Sequence, residues 1–305
     1  MIAWLQSVHW LWVSALSLVC WSLITVINAV VIRTYRTSPM ATLWIQALYS
    51  VCLLVLIGAF YRPTPTLLWV LLPASATAYL ADLYFFYAAD RLDISLINVA
   101  LCLQSFFMSI VGFTVYHEPM TRSMLVGAGI ILCGVLLLSL YGSEVRGRTM
   151  LRWFLPFIVI YFPLNLARKV GVEHQVPLFT VVFYLILLRD VLATIVPLSI
   201  PSFRRAISQE LRHQTPIFFA WSGAPVLIFF VAEFLQTTLY AIGPLSGVSL
   251  VGNAQPFVTL GLTFALTVLA PSAVEVESFQ SSHVRTKMIA FTMTLVGLAL
   301  VGGSA

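Results

Sequence analysis

Apolar stretches of about 20 residues recur along the whole chain, parted by short charged or proline-rich breaks. A helix of that length spans the hydrocarbon core of a bilayer, where every backbone polar group must find its partner within the segment. The pattern therefore predicts an all-α integral membrane protein. Ten helices are expected, near 9–32, 40–60, 66–88, 94–116, 122–141, 151–169, 178–199, 215–240, 245–270 and 286–303. Gly243-Pro244 is the natural break in the long uncharged run after Glu233. The connections at 142–150, 200–214 and 271–285 read as loops, and no soluble domain fits between the helices.

Composition agrees. Of 305 residues, 60% are hydrophobic and only 9% charged, too few charges to clothe a water-soluble surface, for which roughly 25% is usual. The net charge of +5 contains no long basic run of the kind that tracks a phosphate backbone, so no nucleic-acid partner is expected. Cys20, Cys52, Cys102 and Cys133 lie singly in apolar stretches, and His117-Glu118 lacks metal-site spacing. No metal and no cofactor is expected. The apolar N-terminus, without a basic start or a cleavage site, is not read as a signal peptide.

A shift of 151 residues lays helices 3–4 on helices 8–9 without a gap. Ala81 then meets Ala232, Ser95 meets Ser246, Gln104 meets Gln255, and the acid Asp82 meets the acid Glu233. A longer shift brings Arg122 onto Arg285 and Gly134 onto Gly297. Five helices per copy is an odd number, so the second copy must enter the membrane from the opposite face. The expectation is two inverted five-helix repeats, at 1–145 and 146–305, an architecture of alternating-access transporters.

Several residues suit a solute path. Helix 4 carries Ser95, Asn98, Cys102, Ser105 and Ser109 on one face, and helix 9 carries Ser246, Ser249, Asn253 and Pro256 in the same register. They read either as two walls of one cavity or as hydroxyl and small-residue packing between helices. Asp82 and Glu233 are costly inside a bilayer and are expected to face a cavity, pair, or hold a coupling proton or a cationic substrate group. Arg189 either receives a substrate anion or neutralises one of those acids, while its neighbour Asp190 points about 100° away and is a poor partner for it. Gln255, together with Gln236, Thr237 and Tyr240 beside Glu233, and Ser14, Ser17, Trp21, Thr25 and Asn28 on helix 1 are further candidates. Lys169 reads as a substrate-binding or interface-snorkelling residue. Gly127, Gly129, Gly134 and Gly297 predict close helix contacts, within one monomer or in a homodimer.

These residues resemble the drug/metabolite transporter superfamily in its ten-helix, EamA-like branch. The resemblance is carried by Ala88-Ala89 through Ser95-Leu96, Glu118, Gly127 through Gly134, Gly243-Pro244-Leu245-Ser246 and Gln255-Pro256-Phe257. Trp21, Lys169 and Arg189 also stand at positions where the family often has those residue types. The chain departs from the pattern at Ala29, Gln46 and Ser105. The resemblance implies a non-enzymatic, multi-pass protein of the inner cell membrane that moves small metabolites such as amino acids, as exporter or exchanger, with a proton as one candidate driving ion. The competing class is an integral membrane enzyme or flippase for lipid-linked groups, which would need an interfacial cluster of His, Asp or Ser. No G-x-x-x-x-G-K-[ST] loop is present for direct ATP use.

Lys and Arg number 11 in the connections after odd-numbered helices and 4 in those after even-numbered ones, with Arg189 left out. The positive-inside rule thus puts both termini outside, whereas the resemblance implies both inside.

Overall fold

The computed structural model describes residues 10–91, 94–119, 121–141, 147–269 and 281–302. Among them there is no strand. Twelve helices follow in order: α1 (Trp10–Tyr35), α2 (Pro39–Tyr61), α3 (Leu68–Arg91), α4 (Ile94–Thr114), α5 (Arg122–Tyr141), α6 (Gly147–Glu173), α7 (Leu178–Ser199), α8 (Pro201–Leu211), α9 (Pro216–Ile242), α10 (Leu245–Gly252), α11 (Gln255–Leu269) and α12 (Ser281–Gly302).

Among the described residues six stretches are long and apolar enough to cross a membrane: α1, α2, Leu68–Asp90 of α3, α7, α9, and Leu245–Leu266 across α10 and α11. Their outer faces are apolar. Trp12, Phe60 and Trp69 are exposed, as lipid-facing side chains are.

The helix ends follow local chemistry. Ser38 caps α2 by accepting from the Ala41 N–H, with Pro39 in the first turn where its missing N–H costs nothing. Thr215 and Pro216 repeat that device at α9. Gly243-Pro244 ends α9 as expected. The run read as one helix over 245–270 is instead two, α10 and α11, separated at Asn253-Ala254. Pro256 has no N–H to give the Gly252 carbonyl, so the ladder stops and restarts. Its counterpart Ser105 keeps its N–H, and α4 runs unbroken.

Two further boundaries differ from the sequence reading. α6 begins at Gly147 and continues to Glu173, so Arg168 and Lys169 lie more than half a turn inside the helix and not at its end. Residues 200–214 are largely α8, a short amphipathic helix with Ile207 buried and Arg204 and Arg205 exposed, shaped to lie in the interfacial plane.

Packing pairs the two halves in a particular way. α2 packs on α7, α4 on α10, and α5 on α12; α1 packs on α9 while α3 packs on α6. At the α5–α12 seam a Cβ on Gly127 would lie 2.6 Å from the Gly297 carbonyl oxygen, so only glycine allows that approach. Gly134 likewise faces Ala290 and Thr294, whereas a Cβ on Gly129 would meet nothing within 4 Å. These close glycine contacts are within one chain.

At the end of the bundle that holds Glu118, Trp10, Val13, Met108, Leu239, Leu245 and Val248 pack into one apolar plug. Glu118 clamps that plug. Its carboxylate accepts from the backbone N–H groups of Leu245 (2.6 Å) and Ser246 (2.8 Å), the first two residues of α10. Those amides have no partner inside their own helix, and a carboxylate at a helix N-terminus also meets the favourable end of its dipole. Gly112 makes room, since a Cβ there would sit 2.8 Å from the carboxylate. At the opposite end Arg33 donates to the Ala89 carbonyl, and Glu210 of α8 accepts from the N–H and hydroxyl of Ser38.

Candidate functional site: a charged central cavity

Helices from both halves enclose a cavity of about 140 Å³ at mid-bundle, room for several ordered waters or a small solute. Its walls come from α1, α2, α3, α4, α6, α7, α9, α10 and the first residue of α11. Polar side chains converge there on an otherwise apolar and aromatic lining, the usual make-up of a small-molecule site.

Four charged side chains line it: Asp82 from α3, Arg168 from α6, and Arg189 and Asp190 from α7. Arg168 is 1% exposed. It grips Glu233 of α9 fork to fork, Nε to Oε2 at 3.1 Å and Nη2 to Oε1 at 2.5 Å. Its Nη1 donates to Asn165, one turn earlier on α6, and the Tyr240 hydroxyl donates to the same Asn165 oxygen at 3.1 Å. Bidentate pairing is the strong form of this contact, and it satisfies a guanidinium that would be very costly if left unpaired in the bundle. Glu233 is buried behind Arg168 and does not line the cavity. Of the alternatives open for it, the geometry is that of an ion pair.

Arg189 takes the other two acids. Its Nη1 lies 3.3 Å from Asp82 Oδ2, and its Nε donates to Asp190 Oδ1 at 2.7 Å. The sequence reading of adjacent residues as poor partners is corrected here. The long arginine side chain bends back along its own helix, covering the angle that separates the two Cβ directions. The guanidinium also sits 4.1 Å from the centre of the Phe229 ring, which makes a T-shaped contact with Trp21, ring centres 5.5 Å apart.

The other candidates divide. Trp21, Ser105, Gln236 and Gln255 line the cavity, with Thr25, Asn28, Tyr240 and Ser249. Gln236 accepts from Ser17 at 3.2 Å. Gln46 also lines it and donates to Asn28 at 2.8 Å. Ser109 and Ser246 do not form cavity walls; the Ser109 hydroxyl donates to the Ser246 carbonyl at 3.3 Å and joins α4 to α10. Asn253 is buried at the break between α10 and α11, away from the cavity lining. Lys169 points elsewhere, its ammonium 5.2 Å from the centre of the Tyr116 ring. Asn98 lies on α4, but its side chain is outside what the structure describes. Among the described residues no group of His, Cys, Asp or Glu is arranged to hold a metal.

Sequence reasoning missed Arg168, Asn165 and Tyr161, all of which line the cavity from α6. Arg168 stood at the expected helix end, because an Arg-Lys pair after an apolar run looks like one. The available signal was Asn165, three residues earlier and so on the same helical face.

Comparison with known proteins agrees with this architecture. Residues 9–140 match the model of the EamA-like transporter family, part of the drug/metabolite transporter superfamily. That match, together with the long apolar helices, supports a multi-pass membrane protein, and the family it points to is one of small-molecule transporters. No curated protein matches the chain. Among solved structures 27 chains match it. One, described as "Crystal structure of protein", superposes with a TM-score of 0.64 at 14% identity over 96% of this chain and 97% of its own. That likeness is one of fold.

Proposed function

We propose that the protein is a secondary transporter of small polar solutes, working by alternating access around the central cavity. The observation that carries the reading is the exchange pattern of the packing: α2–α7, α4–α10 and α5–α12 pair like with like, while α1–α9 and α3–α6 swap partners. A two-fold axis in the membrane plane, relating α1–α5 to α6, α7, α9, α10–α11 and α12, produces that pattern. On this reading 146–305 is a second, inverted EamA-like unit, the spans number ten, and α8 is an interfacial addition. Inverted repeats place the solute site at their shared midplane, and broken helices such as α10–α11 commonly line it.

The apolar plug and the Glu118 clamp support a reading in which the Glu118 end is the closed side in this conformation. The chain has no nucleotide loop, so an ion gradient or solute exchange drives any uphill flow. The test is counterflow in proteoliposomes. Vesicles loaded with a mixture of unlabelled amino acids and amines should accumulate a labelled member transiently, and Gln236→Leu or Ser105→Leu should lower that accumulation. Equal, purely diffusive uptake in protein-containing and empty vesicles would reject transport.

A further inference from the structure

The charges at the cavity do not balance. Arg168 and Glu233 cancel, and the third side of the Arg168 guanidinium is used by Asn165. That leaves one guanidinium, Arg189, between two carboxylates, Asp82 and Asp190. Among the described residues no other charged side chain lines the space, so it carries one excess negative charge. The imbalance has an address. Asp190 is 2% exposed, its Oδ1 is held by Arg189, and its Oδ2 is buried with no hydrogen-bond partner. An ionised oxygen in that state is costly unless a donor or a cation reaches it. The wall beside it is aromatic, with Trp21, Phe85, Phe86 and Phe229, and ring faces attract cations.

We infer that the cavity selects solutes bearing a single positive charge, an ammonium set against Asp82 and Asp190, on an apolar or aromatic body. This rests on the reading of the cavity as the transport site. An anion has no guanidinium to meet, because both already hold carboxylates. A neutral solute leaves the excess uncompensated.

The charge count makes the inference testable with three probes of matched size: phenethylamine, 2-phenylethanol and 3-phenylpropionate. Binding to the purified full-length protein in detergent is measured by calorimetry. The amine should bind roughly tenfold or more tighter than the other two, tenfold being about 1.4 kcal/mol. Asp82→Asn and Asp190→Asn each bring the count to zero, and each should abolish most of that preference. The double variant carries one net positive charge and should prefer the acid. If Asp190→Asn fails to fold, the half-buried Asp82→Asn and the wild-type probe order still decide. A wild type that prefers the acid, shows no preference, or keeps its amine preference in both variants overturns the inference. If acids bind, and Gln236→Leu weakens them, transport at this cavity stands while cation selectivity falls. If no probe binds and counterflow is absent, both readings fall.

Discussion

Arg168 and Glu233 depend on each other more than any other two side chains described. Each is nearly inaccessible, and each holds the other by two hydrogen bonds. Glu233→Gln leaves an unbalanced guanidinium in the bundle, and the loss is expected to be about 3–5 kcal/mol. Arg168→Met should cost a similar amount through the stranded carboxylate. The double variant should lose less than the sum, by about 1–3 kcal/mol, because it removes both charges together. Thermal melts of the four proteins in detergent measure that coupling, and strict additivity would show that the pair does not act as a unit. The acids and Arg189 were legible in the sequence because a lone charge inside a 20-residue apolar stretch is conspicuous. Their pairing was not, since which of two acids meets which arginine depends on helix rotation. Arg168 was hidden because Lys169 follows it, and a basic pair after an apolar run reads as the membrane boundary.

At the scale of elements, the length of the apolar runs located the long helices among the described residues. What escaped were features set by a single backbone group. The restart after Gly252 follows from the missing N–H of Pro256, and α8 from an amphipathic face only three turns long. The glycines were visible, but the sequence could not tell a seam from a lipid-facing position. The structure does. Gly297→Leu forces a side chain into space where a Cβ alone would lie 2.6 Å from Ile131 Cγ1, and overpacking of this kind costs about 1–3 kcal/mol. Gly129→Leu enters open space and is expected to leave the melting temperature within a degree or two of wild type. Equal destabilisation by both would place the seam elsewhere.

For the whole molecule, the sequence supported an all-helical membrane protein, and the described residues are helical without a strand; the match between its halves belongs to the proposal. The sidedness of the protein rests on its loops. With Arg168 on α6, the Glu118 end retains Arg62, Arg122 and Lys169 as its basic residues near the interface, against 11 at the other end. The charge rule therefore predicts that the Arg33 end faces the cytoplasm and that both termini lie outside. A reporter active only outside, fused at Ala305, should be active. An active cytoplasmic reporter at the same site would mean that charge does not set this topology, and that the orientation implied by the family resemblance holds.

The ion pair beside the cavity also has a history in time. Arg168 and Glu233 are 65 residues apart in the chain, and synthesis proceeds at about 5–20 residues per second. The helix bearing Arg168 is thus complete roughly 3–13 s before its counter-ion exists. During that interval α6 carries a charge that costs about 2.5–3.5 kcal/mol at a bilayer centre. Asp82 waits longer still for Arg189. On the ten-span reading, α3 and α6 are expected to stay in a watery or proteinaceous shelter until α7 and α9 arrive, so the charges around the finished cavity would also time the release of the first half from the insertion machinery.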